Sequence, residues 1–197
     1  MFLGEFPAAL FPLLAFISGT SAIIICYYLS QIFHHEKPFP DTWISATADH
    51  YPEYIVFRIG TITGAVFLIL SHVMSYFWIC QKARENAFNI AKYKPGIGTI
   101  FGITGAMFLM GSTATLDTGK HNTHWHVFCA GNFFIWSILS VWYYTIQCVV
   151  LYTNVKAGGI IPLIIKVSMS LSIVFQVYLD ANAGERFYNH SYESKLA

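Results

Sequence analysis

Residues 54–79 read YIVFRIGTITGAVFLILSHVMSYFWI, and this stretch decides the fold. Arg58 is the only residue in it with a permanent charge, and His72 is the only one that titrates near neutral pH. A helix needs about 20 apolar residues to cross the roughly 30 Å of hydrocarbon in a bilayer. An apolar run of this length with a single charge therefore predicts a transmembrane helix.

Four other segments meet the same length requirement, and the connectors between them are polar or contain proline and glycine. The chain is 55% hydrophobic and only 11% charged, whereas soluble domains carry about a quarter charged residues. We therefore expect an all-α fold, a polytopic membrane helix bundle with five transmembrane helices, a single membrane domain over residues 1–197 and no soluble domain. The predicted helices cover about 6–33, 54–79, 97–116, 126–152 and 159–179, and a polar tail follows at 181–197.

The distribution of basic residues predicts the orientation. Lys82, Arg84, Lys92 and Lys94 all lie in the connector after the second predicted helix, and such an excess marks the cytosolic side. The N-terminus is then cytosolic, while the 34–53 loop and the C-terminal tail are lumenal or extracellular. Asn189 begins a glycosylation sequon on that lumenal side. We expect an integral protein of the endomembrane system or the plasma membrane.

The stretch HNTHWH, residues 121–126, raises the question of a metal or haem site. Zinc needs three or four ligands in tetrahedral arrangement, but His124 and His126 would point about 200° apart on a helix. A haem inside a membrane bundle needs histidines on facing helices, and His72 alone lies deep in a predicted helix. No metal and no cofactor is therefore expected. A net charge of only +1 without a basic face makes nucleic acid an unexpected partner.

Two polar loops at the predicted lumenal side hold residue types that could do chemistry. A serine nucleophile, a histidine base and an orienting acid can be chosen from them, the candidates being Ser45, Ser112, His124, His126, Asp49 and Asp117. Composition alone makes such triples easy to find, and a hydrogen-bonded polar cap within an aromatic belt is the favoured interpretation. Within the membrane, His72 is interpreted as a neutral, hydrogen-bonded histidine, with a ligand or proton-relay role as the alternative.

Glycines are spaced to allow close helix packing. Gly60 and Gly64 in the second predicted helix, and Gly98 and Gly102 in the third, each lie four residues apart. Small residues at this spacing let helix backbones approach closely in lipid. Packing within the chain is the favoured interpretation, and a homodimer interface is the alternative.

Two stretches resemble one known family. Residues 39–58, FPDTWISATADHYPEYIVFR, resemble the first lumenal loop of the FRAG/DRAM/SFK membrane proteins. The positions that match in order are Pro40, Ile44, Ser45, Thr47, Pro52, Glu53, Phe57 and Arg58. Residues 126–134, HVFCAGNFF, followed by YYTIQ at 143–147, are similar to a helix start in the same family. The family includes damage-regulated autophagy modulators and a Golgi factor that acts in GPI-lipid remodelling.

The resemblance implies that the protein handles a membrane lipid or GPI lipid at the lumenal leaflet. It places the lipid headgroup against a rim formed by Ser45, Glu53, Arg58 and His126, and the further candidate residues are His72, Asp49, Asp117 and His124. Family members usually have six transmembrane helices, so a five-helix chain is expected to need a partner membrane protein on its open side. The alternative function is that of a non-catalytic accessory subunit in a larger membrane complex. Enzymatic activity is left open, and a non-catalytic role is favoured.

Overall fold

The computed structural model describes residues 10–35, 46–115 and 123–156, together with the single positions 164, 167, 168 and 171. Its four α-helices are α1 (Leu10–Ile32), α2 (Glu53–Glu85), α3 (Gly96–Ala114) and α4 (Thr123–Val155). Two short 3-10 helices cover Ala46–Ala48 and Ile90–Tyr93, and these described ranges contain no strand. All four α-helices are long and apolar enough to cross a membrane, so the predicted all-α membrane fold is confirmed.

The number of transmembrane helices differs from the prediction. The structure supports four membrane-spanning helices in the part of the chain that it describes, not five. The fifth predicted helix, 159–179, lies outside the described residues except for isolated positions, and the tail at 181–197 lies outside them entirely.

Two helices extend further than hydropathy predicts. α2 continues to Glu85 rather than ending near Ile79, and α4 runs from Thr123 to Val155. The hydropathy signal of α2 stops where charged residues begin, but the helix continues because those charges suit its last turns. Lys82 Nζ lies 2.7 Å from Glu85 Oε2 across one turn, and basic side chains near a helix C-terminus interact favourably with the helix dipole.

The helices pack in chain order, with α1 against α2, α2 against α3, and α3 against α4. The α1–α2 interface is close because small residues face each other there. Ser18 Oγ donates a hydrogen bond to the Gly60 carbonyl oxygen at 2.8 Å, and a Cβ atom at Gly60 would overlap the Cβ of Ala22. The predicted role of the Gly60 region in close packing within the chain is therefore confirmed.

The alternating helix directions give the bundle two ends. The end that holds the C-termini of α1 and α3 and the N-termini of α2 and α4 is called the histidine end. The opposite end, which holds the C-termini of α2 and α4 and the N-terminus of α3, is called the basic end. At the basic end, α2 and α4 extend past α3 and enclose a small core of Ile79, Ala83, Ile90, Tyr144 and Leu151.

The connector between α2 and α3 is folded against this core. Tyr143 Oη donates to the Tyr93 carbonyl oxygen at 2.7 Å, and Gln147 Nε2 donates to the same oxygen at 3.2 Å. Both donors belong to α4, so α4 fixes a connector that lies about 50 residues earlier in the chain. The start of α3 is positioned by this anchoring.

Candidate functional site at the histidine end

Glu53, the first residue of α2, is fully buried at the histidine end. Its Oε1 lies 2.7 Å from His35 Nδ1, just beyond the end of α1, and its carbonyl oxygen accepts a bond from Cys26 Sγ at 3.2 Å. The His35 ring also lies against the His50 ring, with centroids 4.6 Å apart. A buried carboxylate is costly unless it is paired, so the contact with His35 stabilises it and ties the end of α1 to the start of α2.

The second carboxylate oxygen of this residue is less satisfied. Glu53 Oε2 is buried and makes no hydrogen bond to any residue in the described ranges. The sequence predicts that Glu53 meets a lipid headgroup directly, whereas the structure encloses it between two helices. Its observed contacts, with Cys26 and His35, hold the end of α1 against the start of α2.

Arg58 lies between one and two turns into α2 and reaches toward the end of α3. Its guanidinium lies over the Tyr54 ring, 5.1 Å from the centroid, and donates to the Ala114 carbonyl oxygen at 3.5 Å. The last carbonyl groups of a helix have no partner within the helix and carry the negative end of its dipole. The Arg58 guanidinium is therefore held at this end of the bundle. The neighbouring residues Ile55 and Ile59 have exposed apolar side chains.

His126 also contacts the last turn of α3. Its Nδ1 lies 2.9 Å from the Ser112 carbonyl oxygen. A carbonyl oxygen only accepts hydrogen bonds, so Nδ1 must carry the hydrogen, and Nε2 of the neutral ring is then an acceptor. The Ser112 hydroxyl itself donates to the Leu109 carbonyl at 3.0 Å. Ser112 and His126 are therefore in contact, but not as a hydroxyl nucleophile and its base.

Apart from His72, the remaining predicted residues fall into two groups. Asp49 and His124 are exposed at the histidine end. Ser45, Asp117 and Asn189 lie outside the described residues. The structure thus brings Glu53, Arg58 and His126 to one end of the bundle.

His72 lies away from the histidine end, in a polar network inside the bundle. Its Nδ1 is 3.4 Å from Ser140 Oγ, and its carbonyl oxygen accepts a bond from Tyr144 Oη at 2.8 Å. Tyr144 Oη is also 2.7 Å from Thr99 Oγ1, and Ser140 Oγ donates to the Gly98 carbonyl at 2.8 Å. These bonds join α2, α3 and α4, as the interpretation of His72 as a hydrogen-bonded residue of the bundle requires.

One buried contact near the histidine end joins two residues that the sequence analysis did not pair. Thr61 Oγ1 and Thr113 Oγ1 lie 3.0 Å apart between α2 and α3, and both residues are buried. The two threonines are 52 positions apart, so no local spacing links them. A threonine within an apolar run is a general signal for an interhelical hydrogen bond, but it does not identify the partner.

Across residues 10–35, 46–115 and 123–156, no group of three or more His, Cys, Asp or Glu side chains is arranged to hold a metal ion. The four cysteines, Cys26, Cys80, Cys129 and Cys148, all lie in the described ranges and form no disulfide bond. The described residues of the histidine end supply a guanidinium, imidazole rings, the buried carboxylate of Glu53 and the exposed carboxylate of Asp49.

Comparison with known proteins gives one match. No curated relative and no solved structure matches the chain. The family model described as the Frag1/DRAM/Sfk1/Cwh43P N-terminal domain matches residues 7–191. The match covers nearly the whole chain, including the two stretches on which the resemblance was based. This membrane protein belongs to the Frag1/DRAM/Sfk1/Cwh43P family.

Proposed function

We propose that the histidine end binds the phosphate-bearing headgroup of a membrane lipid, with GPI lipids as the favoured class. The observation that carries the proposal is the position of Arg58, whose guanidinium lies at the end of α3 beside exposed isoleucines. A lipid bound there has its headgroup at the guanidinium and its acyl chains along the apolar surface of α2.

Arginine suits this ligand because its planar fork pairs with two phosphate oxygens at once. The Tyr54 ring supports one face of the guanidinium. The bond to Ala114 is 3.5 Å long, beyond the usual 2.7–3.2 Å for an N–H···O bond. Phosphate oxygens accept short, charge-assisted bonds from such a guanidinium.

His126 supplies the second recognition group of the proposed site. Its bond to Ser112 holds the ring at the same end of α3 that Arg58 contacts. Nε2 then accepts a hydrogen bond from a hydroxyl group, such as those of inositol or a glycan. Glu53 acts indirectly, since its contact with His35 holds the end of α1 against the start of α2.

The test measures which lipids the purified protein retains in mild detergent, together with the surface display of GPI-anchored proteins in cells. We expect Arg58→Ala to lower binding of phosphatidylinositol-based lipids at least tenfold, the factor that corresponds to about 1.4 kcal/mol. Arg58→Lys is expected to retain part of the binding, because lysine keeps the charge but loses the fork. Lys82→Ala, at the basic end, is the matched control and should leave binding unchanged.

His126 variants separate recognition from structure. Asparagine at position 126 can still donate to the Ser112 carbonyl but has no equivalent of Nε2, whereas alanine loses both. Recognition through Nε2 predicts that His126→Asn weakens lipid binding as much as His126→Ala while it unfolds at the wild-type temperature. Normal lipid retention and normal display in a well-folded Arg58→Ala/His126→Ala double variant would refute the proposal.

A second candidate function is that of an accessory subunit, with a partner membrane protein packed against the outer face of α1. The observation that favours it is the surface of α1, which packs chiefly against α2. Its outer face exposes Leu13, Phe16, Ile17 and Tyr28, each more than half exposed. Purification in mild detergent distinguishes the two functions. An accessory subunit retains a stoichiometric protein partner, and the Phe16→Ala/Tyr28→Ala double variant should retain less of that partner.

A further inference from the structure

An apolar groove of about 490 Å³ opens at the basic end, far from the histidine end. Tyr76 of α2, Ile90 of the connector, and Ile97 and Ile100 of α3 form its walls. Ile100 is 62% exposed and belongs to the outer surface of the bundle. The groove is therefore continuous with the surface that faces the hydrocarbon of the bilayer.

Among the described residues that line this groove, Lys94 alone is charged. Three hydrogen bonds hold its backbone. The Lys94 N–H donates to the Ala91 carbonyl at 3.0 Å. The Lys94 carbonyl oxygen accepts from Ile97 N at 3.0 Å and from Tyr143 Oη at 3.1 Å. The side chain is exposed. The fold thus fixes one cation beside an apolar groove at the level where α3 begins.

We propose that this groove binds an anionic phospholipid of the adjacent leaflet, with one acyl chain against Ile97 and Ile100 and the phosphate-bearing headgroup at Lys94. Charge complementarity selects the headgroup, because none of the described residues that line the groove is acidic and could neutralise Lys94. The first turn of α3 also lacks an acidic residue, so the positive end of its dipole adds to the attraction. The size of the groove is within the usual range for ligand pockets.

The predicted orientation supports this choice of ligand. It places the basic end at the cytosolic leaflet, where anionic lipids are concentrated. The apolar wall distinguishes the proposed ligand from a soluble anion, which would bind Lys94 without needing Tyr76, Ile97 or Ile100. The proposal is independent of lipid binding at the histidine end.

The experiment measures binding of spin-labelled phosphatidylserine and phosphatidylcholine to the full-length protein in nanodiscs. We expect a preference for phosphatidylserine that Lys94→Gln lowers about fivefold, the factor that one lysine contributes near an anionic surface. Lys92→Gln is the matched control, since Lys92 is exposed two residues away but does not line the groove. Ile100→Trp is expected to reduce binding of phosphatidylserine by filling the groove.

Several results would overturn the proposal. An equal loss of the preference for phosphatidylserine in Lys92→Gln and Lys94→Gln would show that the preference reflects the overall positive charge of the basic end and not the groove. Competition by soluble glycerophosphoserine as effectively as by the intact lipid would assign it to a site for free anions. The proposal would also be refuted if the wild type showed no preference for phosphatidylserine. The same holds if Lys94→Gln left the preference unchanged while unfolding at the wild-type temperature. Arg58→Ala should retain the preference, which keeps this test separate from the histidine end.

Discussion

The substitution Gly60→Ala tests the close packing of α1 on α2. A Cβ atom at position 60 would overlap Ala22 Cβ and lie 3.1 Å from the Ser18 carbonyl oxygen. Both neighbours belong to α1 and neither is the flexible end of a side chain. The helices must therefore move apart, which also lengthens the 2.8 Å hydrogen bond from Ser18 Oγ to Gly60.

The expected loss of stability follows from three contributions. Overpacking costs about 1–3 kcal/mol, and a weakened interhelical hydrogen bond costs about 0.6 kcal/mol in a membrane protein. The higher helix propensity of alanine returns about 1 kcal/mol. Gly60→Ala should therefore lower the free energy of unfolding by roughly 0.6–2.6 kcal/mol, or the melting temperature by roughly 1–10 °C for a chain of this size.

Two variants control this prediction. Gly19→Ala makes the same chemical change in α1, where an added Cβ meets nothing within 4 Å, so it should be neutral or stabilising by up to about 1 kcal/mol. Ala22→Gly removes the atom that Gly60→Ala would overlap. The double variant Gly60→Ala/Ala22→Gly should then be close to the wild type, although each single variant is less stable.

The assay is thermal unfolding of the purified protein in one detergent, followed by circular dichroism and by the accessibility of buried Cys26. The double-mutant cycle should give a coupling energy of about 1–3 kcal/mol between positions 22 and 60. Equal melting temperatures for Gly60→Ala and Gly19→Ala, or additive effects at positions 22 and 60, would refute the described α1–α2 interface.

Substitutions at two other residues, Tyr144 and Glu53, test buried polar contacts by the same unfolding assay. Tyr144→Phe removes the hydrogen bonds to the His72 carbonyl and to Thr99. It should lower the free energy of unfolding by about 1 kcal/mol, because interhelical hydrogen bonds in membranes average roughly 0.6 kcal/mol each. An unchanged melting temperature would contradict this. Glu53→Ala leaves His35 without its carboxylate and should lower stability by about 1–3 kcal/mol. Glu53→Gln keeps an acceptor for His35 and should cost less, so equal losses for the two Glu53 variants would argue against the His35 contact.

Hydropathy was sufficient to predict four of the helices, because an apolar stretch of bilayer length has few alternatives to a transmembrane helix. It could not predict the last turns of α2, since helix formation continues through Lys82 and Glu85 after the apolar signal has ended. It also could not predict the folded connector. That structure depends on Tyr143 and Tyr93, which are 50 positions apart.

The sequence could place the candidate residues near one end of the bundle but could not predict their contacts. The sequence identified Glu53, Arg58 and His126, and the structure brings all three to the histidine end. The burial of Glu53 depends on His35 and on the path of α1, neither of which can be deduced from the loop motif. Likewise, the residue types of Ser112 and His126 allow a catalytic pair, but only the structure shows that the histidine bonds the carbonyl oxygen instead of the hydroxyl.

Helix α3 relates the two proposed lipid sites, because each site uses one of its ends. Its 19 residues span about 28 Å at 1.5 Å per residue, close to the thickness of the hydrocarbon. At its carbonyl end, Arg58 and His126 donate to the carbonyl oxygens of Ala114 and Ser112. At its amide end, Lys94 adds a positive charge to a terminus that is already positive, and none of the described residues that line the groove is acidic. An anion from outside the chain therefore stabilises this end, and an anionic lipid can supply it from within the membrane.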